Sequence, residues 1–253
     1  MMCSEVSRIL DFAANDRVLE ILEAIEREEI SDLKKCYPRS TLHYTIQKLK
    51  RANLIERRIH RYELTQLGIT YLKMIRKFHR CLDRFHNLMD KFPDHRIELP
   101  EDFVLRLDEL GEFDVVESQN TDVLRPHRIV LGQILRSKEV RGIVPILYPD
   151  YPTVFREVVS KVDLLEIIVT EDVWKLVEKY DHVEEHTGKF RVYLADKHPC
   201  ISLIVTDTFF SAGFYRRSGD FDFWRLLISN DKSATRFGRD LFEHYRRISQ
   251  RVL

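Results

Sequence analysis

The residues best able to do chemistry lie between Lys34 and Arg61, where Lys34, Lys35, Arg39, Lys48, Lys50, Arg51, Arg57, Arg58 and Arg61 stand against a single acid, Glu56. That is +8 in a chain of formal net charge zero, so the other residues sum to −8. A dense positive patch in an otherwise acidic chain is suited to meeting phosphate. Within it, Leu42, Ile46 and Leu49 recur at helical spacing. Thr41, His43, Tyr44 and Gln47 would then face away from that apolar stripe. Their hydroxyl, imidazole and amide groups can hydrogen-bond base edges, Gln47 being able to pair with adenine. Arg39, Lys48, Arg51, Arg57, Arg58 and Arg61 would hold phosphates. The plain alternative for each is a solvated side chain.

Other chemistry lacks its usual marks. No GxGxxG or Walker loop, HExxH or GxSxG elbow occurs, and the ten histidines do not fall at ligand spacing. Cys3, Cys36, Cys81 and Cys200 are too far apart in sequence for a CxxC or zinc pattern, so reduced thiols, no metal and no cofactor are expected. Cys200, Ser202 and Asp207 stand where phospholipase D-like enzymes place the His, Lys and Asp of an HxKxxxxD strand. The nucleophile and the lysine are absent, which fits a sheet of that kind without its catalysis.

The elements that must position the basic patch read as a winged helix-turn-helix over residues 1–68. A helix over Asp16–Glu28 carries Val18, Ile21, Leu22 and Ile25 on one face, and Ile30–Lys35 gives a short second helix. Ser40 is placed to cap a third, and Leu54–Arg58 with Arg61–Leu64 form a hairpin wing. From Leu67 the residues Tyr71, Met74, Phe78, Cys81, Phe85, Leu88 and Phe92 follow at alternating spacings of four and three, flanked by Ile75, Leu82 and Met89. This heptad stripe predicts a long linker helix over 69–92 whose face needs a partner. Either a second copy or the next domain could cover it.

After Phe92-Pro93-Asp94, apolar β-branched runs alternate with helical segments to the end of the chain. The fold class is α/β overall, with a C-terminal α/β sandwich over 93–253 built on a largely parallel sheet, whose ligands would bind beyond the carboxyl ends of its strands. Those ends point to Tyr148, Tyr151, Thr170 and Asp207, joined by Arg216 and Arg217, as a pocket for an anionic effector. No run of about eighteen apolar residues is present, and the N-terminus lacks a signal peptide's apolar centre, so a cytoplasmic protein without a membrane span is expected.

Taken together these segments resemble a known family, the archaeal winged-helix transcriptional regulators called filament-length regulators in methanogens. The likeness is carried by Ser40-Thr41-Leu42-His43-Tyr44 leading to Lys48-Leu49-Lys50-Arg51-Ala52-Asn53-Leu54-Ile55, and by Tyr62-Glu63-Leu64-Thr65-Gln66-Leu67-Gly68. In the second half it rests on Leu110-Gly111-Glu112, the segment Pro145 to Pro152, Ile168-Val169-Thr170-Glu171 and Val205-Thr206-Asp207. It implies a DNA-binding regulator rather than an enzyme, with double-stranded DNA as its partner. A homodimer and a C-terminal domain sensing a small effector are expected with it. A diverged phosphodiesterase, or a protein-interaction module without ligand, is the alternative for that domain.

Overall fold

The computed structural model describes residues 15–59, 61–147, 151–179 and 188–253. The chain divides into two units after Leu82. In the first, helices α1 (Asp16–Glu26), α2 (Leu33–Cys36) and α3 (Arg39–Arg51) precede strands β1 (Ile55–Arg58) and β2 (Arg61–Leu64). Helix α4 (Gln66–Lys91) follows, and the division falls within it. Val18, Ile21, Leu22 and Ile25 of α1 share one core with Leu42, Ile46 and Leu49 of α3, Leu54, Ile55 and Leu72. The expected cap at Ser40 does not form. Helix α3 already starts at Arg39, launched from Pro38 at φ −57° without a side-chain cap bond, so Ser40 lies inside the first turn.

The hairpin closes on its own ladder, with Ile55 opposite Leu64 and Arg58 opposite Arg61. Its exit is tied down by Thr65, whose Oγ1 donates to the Asn53 carbonyl at 2.7 Å and accepts from Gly68 N–H at 3.0 Å. Glycine is required at 68 because a Cβ there would sit 1.9 Å from the Leu54 carbonyl oxygen. Along α4 the apolar stripe divides between two fates. Leu72, Ile75 and Leu88 are buried, whereas Leu67, Met74, Phe78, Leu82 and Phe85 remain exposed.

The second unit continues through β3 (His95–Arg96), α5 (Glu101–Val104), a 3-10 turn at Leu107–Leu110 and β4 (Asp114–Glu117). Next come α6 (Arg125–Ile134), β5 (Glu139–Val144), α7 (Tyr151–Lys161), β6 (Leu164–Val169), α8 (Glu171–Val177) and β7 (Phe190–Ala195). Then β8 (Ile201–Val205), β9 (Phe210–Arg216), β10 (Arg225–Ser229), α9 (Lys232–Arg247) and β11 (Ser249–Arg251) complete it. The strands make a nine-stranded sheet in the order β11-β7-β6-β5-β8-β9-β10-β4, with β3 added beside β9.

The expectation of a largely parallel sheet is corrected here. Among the described strands of this sheet only β5, β6 and β7 run parallel to their neighbours in that trio, and the remaining pairs are antiparallel. The parallel strands are the ones joined through helices, while β8 and β9 are a hairpin that needs no crossover. Strands β3, β10 and β11 were not anticipated.

Helices cover both faces. On one, Phe155, Val158, Val159 and Val162 of α7 and Val173 and Val177 of α8 pack on Val140, Leu165, Ile167, Val169, Phe190 and Val192. On the other lies α9, where the Phe237 ring meets Phe210 edge to face at 6.2 Å and Phe103 at 5.5 Å. The same face buries a charge. Register aligns Arg141, Glu166 and Arg191 across the three parallel strands. The Glu166 carboxylate accepts from both guanidiniums at 3.1 Å and from the Tyr193 hydroxyl at 3.3 Å. A carboxylate this buried is tolerated because its oxygens are matched by cationic donors.

Two glycines provide the test of this packing. Gly68→Ala must move the Leu54 backbone and should destabilise by about 1–3 kcal/mol or more. Gly132→Ala meets nothing within 4 Å on α6 and should stabilise by about 0.4–1 kcal/mol. Denaturant titrations of the two variants read the opposite signs directly.

Candidate nucleic-acid interface

Burying Leu42, Thr45, Ile46 and Leu49 fixes how α3 is turned, and so presents its opposite side to solvent. His43 and Tyr44 are exposed on that side, Tyr44 at 70%, with Thr41, Gln47 and Lys48 partly exposed. Arg39, Lys50 and Arg51 are exposed at its margins. The structure therefore brings together all the α3 residues expected to meet nucleic acid. None of Arg39, Lys50, Arg51 and Arg57 has an acidic partner among the described residues. The third helix also ends in Lys48, Lys50 and Arg51, cations placed where they favour the negative end of its dipole.

The ribbon is less uniformly basic than its sequence. Arg58 donates from Nε to Glu56 at 2.9 Å and lies 3.4 Å from Glu63. Arg61 donates from Nε to Glu63 at 2.7 Å and also pairs with Glu28. The hydrogen bond to Glu63 and the nearby charge of Glu28 raise the Arg61 pKa further above its ordinary value. Counting charges between Lys34 and Arg61 missed both acids, since Glu28 and Glu63 fall outside the window and reach the wing only through the fold. Arg57 is the wing cation left without such a partner.

The residues expected to form one effector pocket are not gathered at one place. Tyr148 lies outside the described residues, as does the side chain of Tyr151. Thr170 follows the carboxyl end of β6 and accepts a 3.4 Å hydrogen bond from Val173 N–H, capping α8. Asp207 is at the opposite edge of the sheet, because β8 runs against β5 with Arg141 opposite Val205. Its carboxylate accepts from Lys138 N–H, just before β5, at 3.1 Å and lies 3.7 Å from Arg239. Thr170 and Asp207 are thus separated by a strand length, on the order of 17–20 Å.

Arg216 does end at the Thr170 edge, but three strand steps away, about 14 Å at ordinary spacing. Its guanidinium lies 3.1 Å from Asp222, which also meets the buried His95 Nε2 at 2.9 Å and accepts from Trp224 N–H at 2.9 Å. Arg216, itself exposed, therefore pairs with a buried Asp222–His95 couple where β3 joins β9. The Arg217 side chain is exposed, and its backbone N–H donates to the Asp94 carbonyl. An apolar void of about 10 Å³ near Leu88, Leu110 and Phe210 is no larger than a water molecule needs. Beside this end, burial pushes the Tyr215 hydroxyl up to about 12, with the neighbouring Cys200 contributing. Of the phospholipase D-like echo, Ser202 lies within β8 and Asp207 is occupied as described. No group of three or more His, Cys, Asp or Glu side chains among the described residues could hold a metal, and no described helix is long and apolar enough to cross a membrane.

A basic three-helix and ribbon unit followed by an α/β unit is the class of protein that these observations define. Residues 123–248 match the family model described as methanogenesis regulatory protein FilR1, middle domain. The chain is FilR1-like over its length: across an alignment of 260 residues it is 24% identical to the methanogenesis regulatory protein FilR1 of Methanothrix harundinacea (strain 6Ac), with 98% of this chain covered. It spans 58% of the length of that relative. Among solved structures, TrmBL2, an archaeal chromatin protein, gives a TM-score of 0.45 at 10% identity, over 85% of this chain and 84% of that one. Phosphatidylserine synthase from Haemophilus influenzae Rd KW20 gives 0.37 at 11% identity, over 85% and 46%.

The division of α3 into a structural and a free face has a direct consequence for stability. His43→Ala and Tyr44→Ala should each change it by no more than about 0.5 kcal/mol. Leu49→Ala, which empties a fully buried site, should cost about 2–5 kcal/mol. Thermal unfolding of the three variants checks the assignment without any ligand.

Proposed function

We propose that this protein is a sequence-specific, double-stranded DNA-binding transcriptional regulator whose first unit is a winged helix-turn-helix. The observation that carries the reading is the exposed face of α3, where Thr41, His43, Tyr44 and Gln47 stand between Arg39 and Arg51, neither of which has an acidic partner among the described residues. In this reading α3 enters the major groove and its polar residues approach base edges. Arg39, Lys48, Arg51 and Arg57 hold phosphates, Arg58 and Arg61 contributing less because carboxylates already occupy them. The FilR1-like character of the chain supports the regulatory role, in an archaeal, methanogen setting.

The exposed stripe Leu67, Met74, Phe78, Leu82 and Phe85 supports a homodimer. Its heptad spacing is what two copies of one helix need to interdigitate. A two-fold pair of readers matches two half-sites one or more DNA turns apart. The second unit is the regulatory module of this reading, and no effector site is assigned to it.

Fluorescence anisotropy with labelled duplexes over a series of salt concentrations tests the proposal. Arg57→Ala should flatten the dependence of log affinity on log salt by about one unit, on any sequence. Arg58→Ala should flatten it distinctly less. Gln47→Ala should cost about 1–3 kcal/mol on a selected site and nothing on random duplex. Phe78→Glu should convert a dimer to a monomer in light scattering. Affinity that is independent of salt and indifferent to Arg57 and Gln47 would overturn the reading.

A further inference from the structure

Position 28 is filled by a residue that its local structure disfavours. Helix α1 ends in a Schellman turn, in which Glu28 N–H donates to the Ile25 carbonyl at 3.2 Å and Glu29 N–H to the Ala24 carbonyl at 2.7 Å. Glu28 occupies the left-handed position of that turn, at φ +62°, where glycine or asparagine is the usual residue. A carboxylate also stands badly there on charge. The last turn of α1 carries no basic residue to offset the negative end of the helix dipole, and Arg27 pairs with Glu23 and Glu29 instead. What Glu28 gains in return is an ion pair with Arg61, Nη1 to Oε1 at 2.5 Å, across 33 residues of sequence. Both side chains are more than half exposed, and an exposed pair stabilises a fold only slightly. Two local costs are thus set against one weak contact, so the use of a glutamate at this position lies outside folding.

Arg61 does not need Glu28 in order to be paired. Its Nε already donates to Glu63 at 2.7 Å, and Glu63 together with Glu56 also meets Arg58, the residue opposite in the ladder. The two arginines therefore face three carboxylates, Glu28, Glu56 and Glu63, and this flank of the ribbon is net negative where its sequence reads as basic. A carboxylate offers a guanidinium the same kind of oxygen pair that a phosphate does. Glu28 thus takes the place on Arg61 that a DNA phosphate would take. The loss falls mainly on unselected DNA, whose binding depends on how many phosphates the protein neutralises, whereas a duplex read by α3 is held by base contacts as well. We propose that Glu28 is a specificity-determining residue, an internal phosphate substitute that keeps Arg61 off the backbone of unselected DNA. This rests on the DNA-binding reading above, in which α3 supplies the discrimination that Glu28 sharpens.

The test uses the full chain in fluorescence anisotropy, with one duplex selected from a random pool and one of unrelated sequence. Glu28→Gln removes the charge and keeps a side chain of the same length. On the unrelated duplex it should bind about tenfold more tightly at roughly 0.1 M salt, and log affinity should fall with log salt by about one unit of slope more, as one further neutralised phosphate requires. On the selected duplex the gain should stay under about threefold, so the ratio of the two affinities falls. The gain on the unrelated duplex should drop below about threefold when Glu28→Gln is made in an Arg61→Ala background, since the two residues act as a pair. Glu28→Gly also relieves the turn, so it should match Glu28→Gln on DNA and melt at a higher temperature than the unaltered protein. An affinity and a salt slope on unrelated duplex that Glu28→Gln leaves unmoved overturn the proposal. A gain undiminished without Arg61 does so too, because the effect is then one of overall charge, as does an equal gain on both duplexes, which leaves Glu28 no part in discrimination. An unaltered protein that binds neither duplex overturns the proposal together with the reading beneath it.

Discussion

The burial of one stripe, Leu42, Ile46 and Leu49, against Ile21, Leu22 and Ile25 is the constraint on which the first unit depends. A helix has no preferred rotation about its own axis until one side is removed from water. Once these residues are in the core, His43, Tyr44 and Gln47 have only the outer side left to occupy. The hairpin is fixed by the same core through Ile55 and Leu54, and Thr65 and Gly68 bring its exit close enough for the next helix to begin. The position of the ribbon beside α3 therefore follows from apolar packing, with charge playing little part in building it.

Charge instead decides which surface of that scaffold is available. A surface ion pair contributes little to stability, commonly under about 1 kcal/mol. Its greater effect in the wing is to occupy Arg58 and Arg61, leaving Arg57 and α3 to present positive potential. The second unit handles charge differently. Glu166 is enclosed by Arg141, Arg191 and Tyr193 beneath α9, and His95 and Asp222 are enclosed where β3 joins β9. The Glu166 carboxylate is matched by its three donors, whereas His95 Nδ1 is buried without a hydrogen-bond partner.

How much of this was legible in the sequence depended on distance along the chain. Helix α3 and the hairpin were readable because each is specified by neighbours: Leu42, Ile46 and Leu49 at helical spacing, and Leu54–Arg58 with Arg61–Leu64 as two short strands. Strands β5 to β8 were visible as apolar runs, but their direction was not. The residues of β8 have the same composition whichever way the strand points, and only its hydrogen-bonded partner, β5, settles it. That one undetermined sign moved Asp207 from beside Thr170 to the opposite edge and dissolved the expected pocket. Strands β3 and β11, two and three residues long, carry too few side chains to show a period. The pairing of Arg61 with Glu28 joins residues 33 apart in sequence, beyond any local window.

The account stands most directly on whether the free face of α3 reads a DNA sequence. Selection of bound duplexes from a random pool by the full chain, followed by footprinting of guanine N7 methylation on the enriched sequence, measures this directly. The account predicts an enriched motif repeated in two half-sites related by a two-fold axis, with each half-site protected in the major groove. A pool no different from the input after repeated rounds, or protection unrelated to any shared sequence, would contradict it.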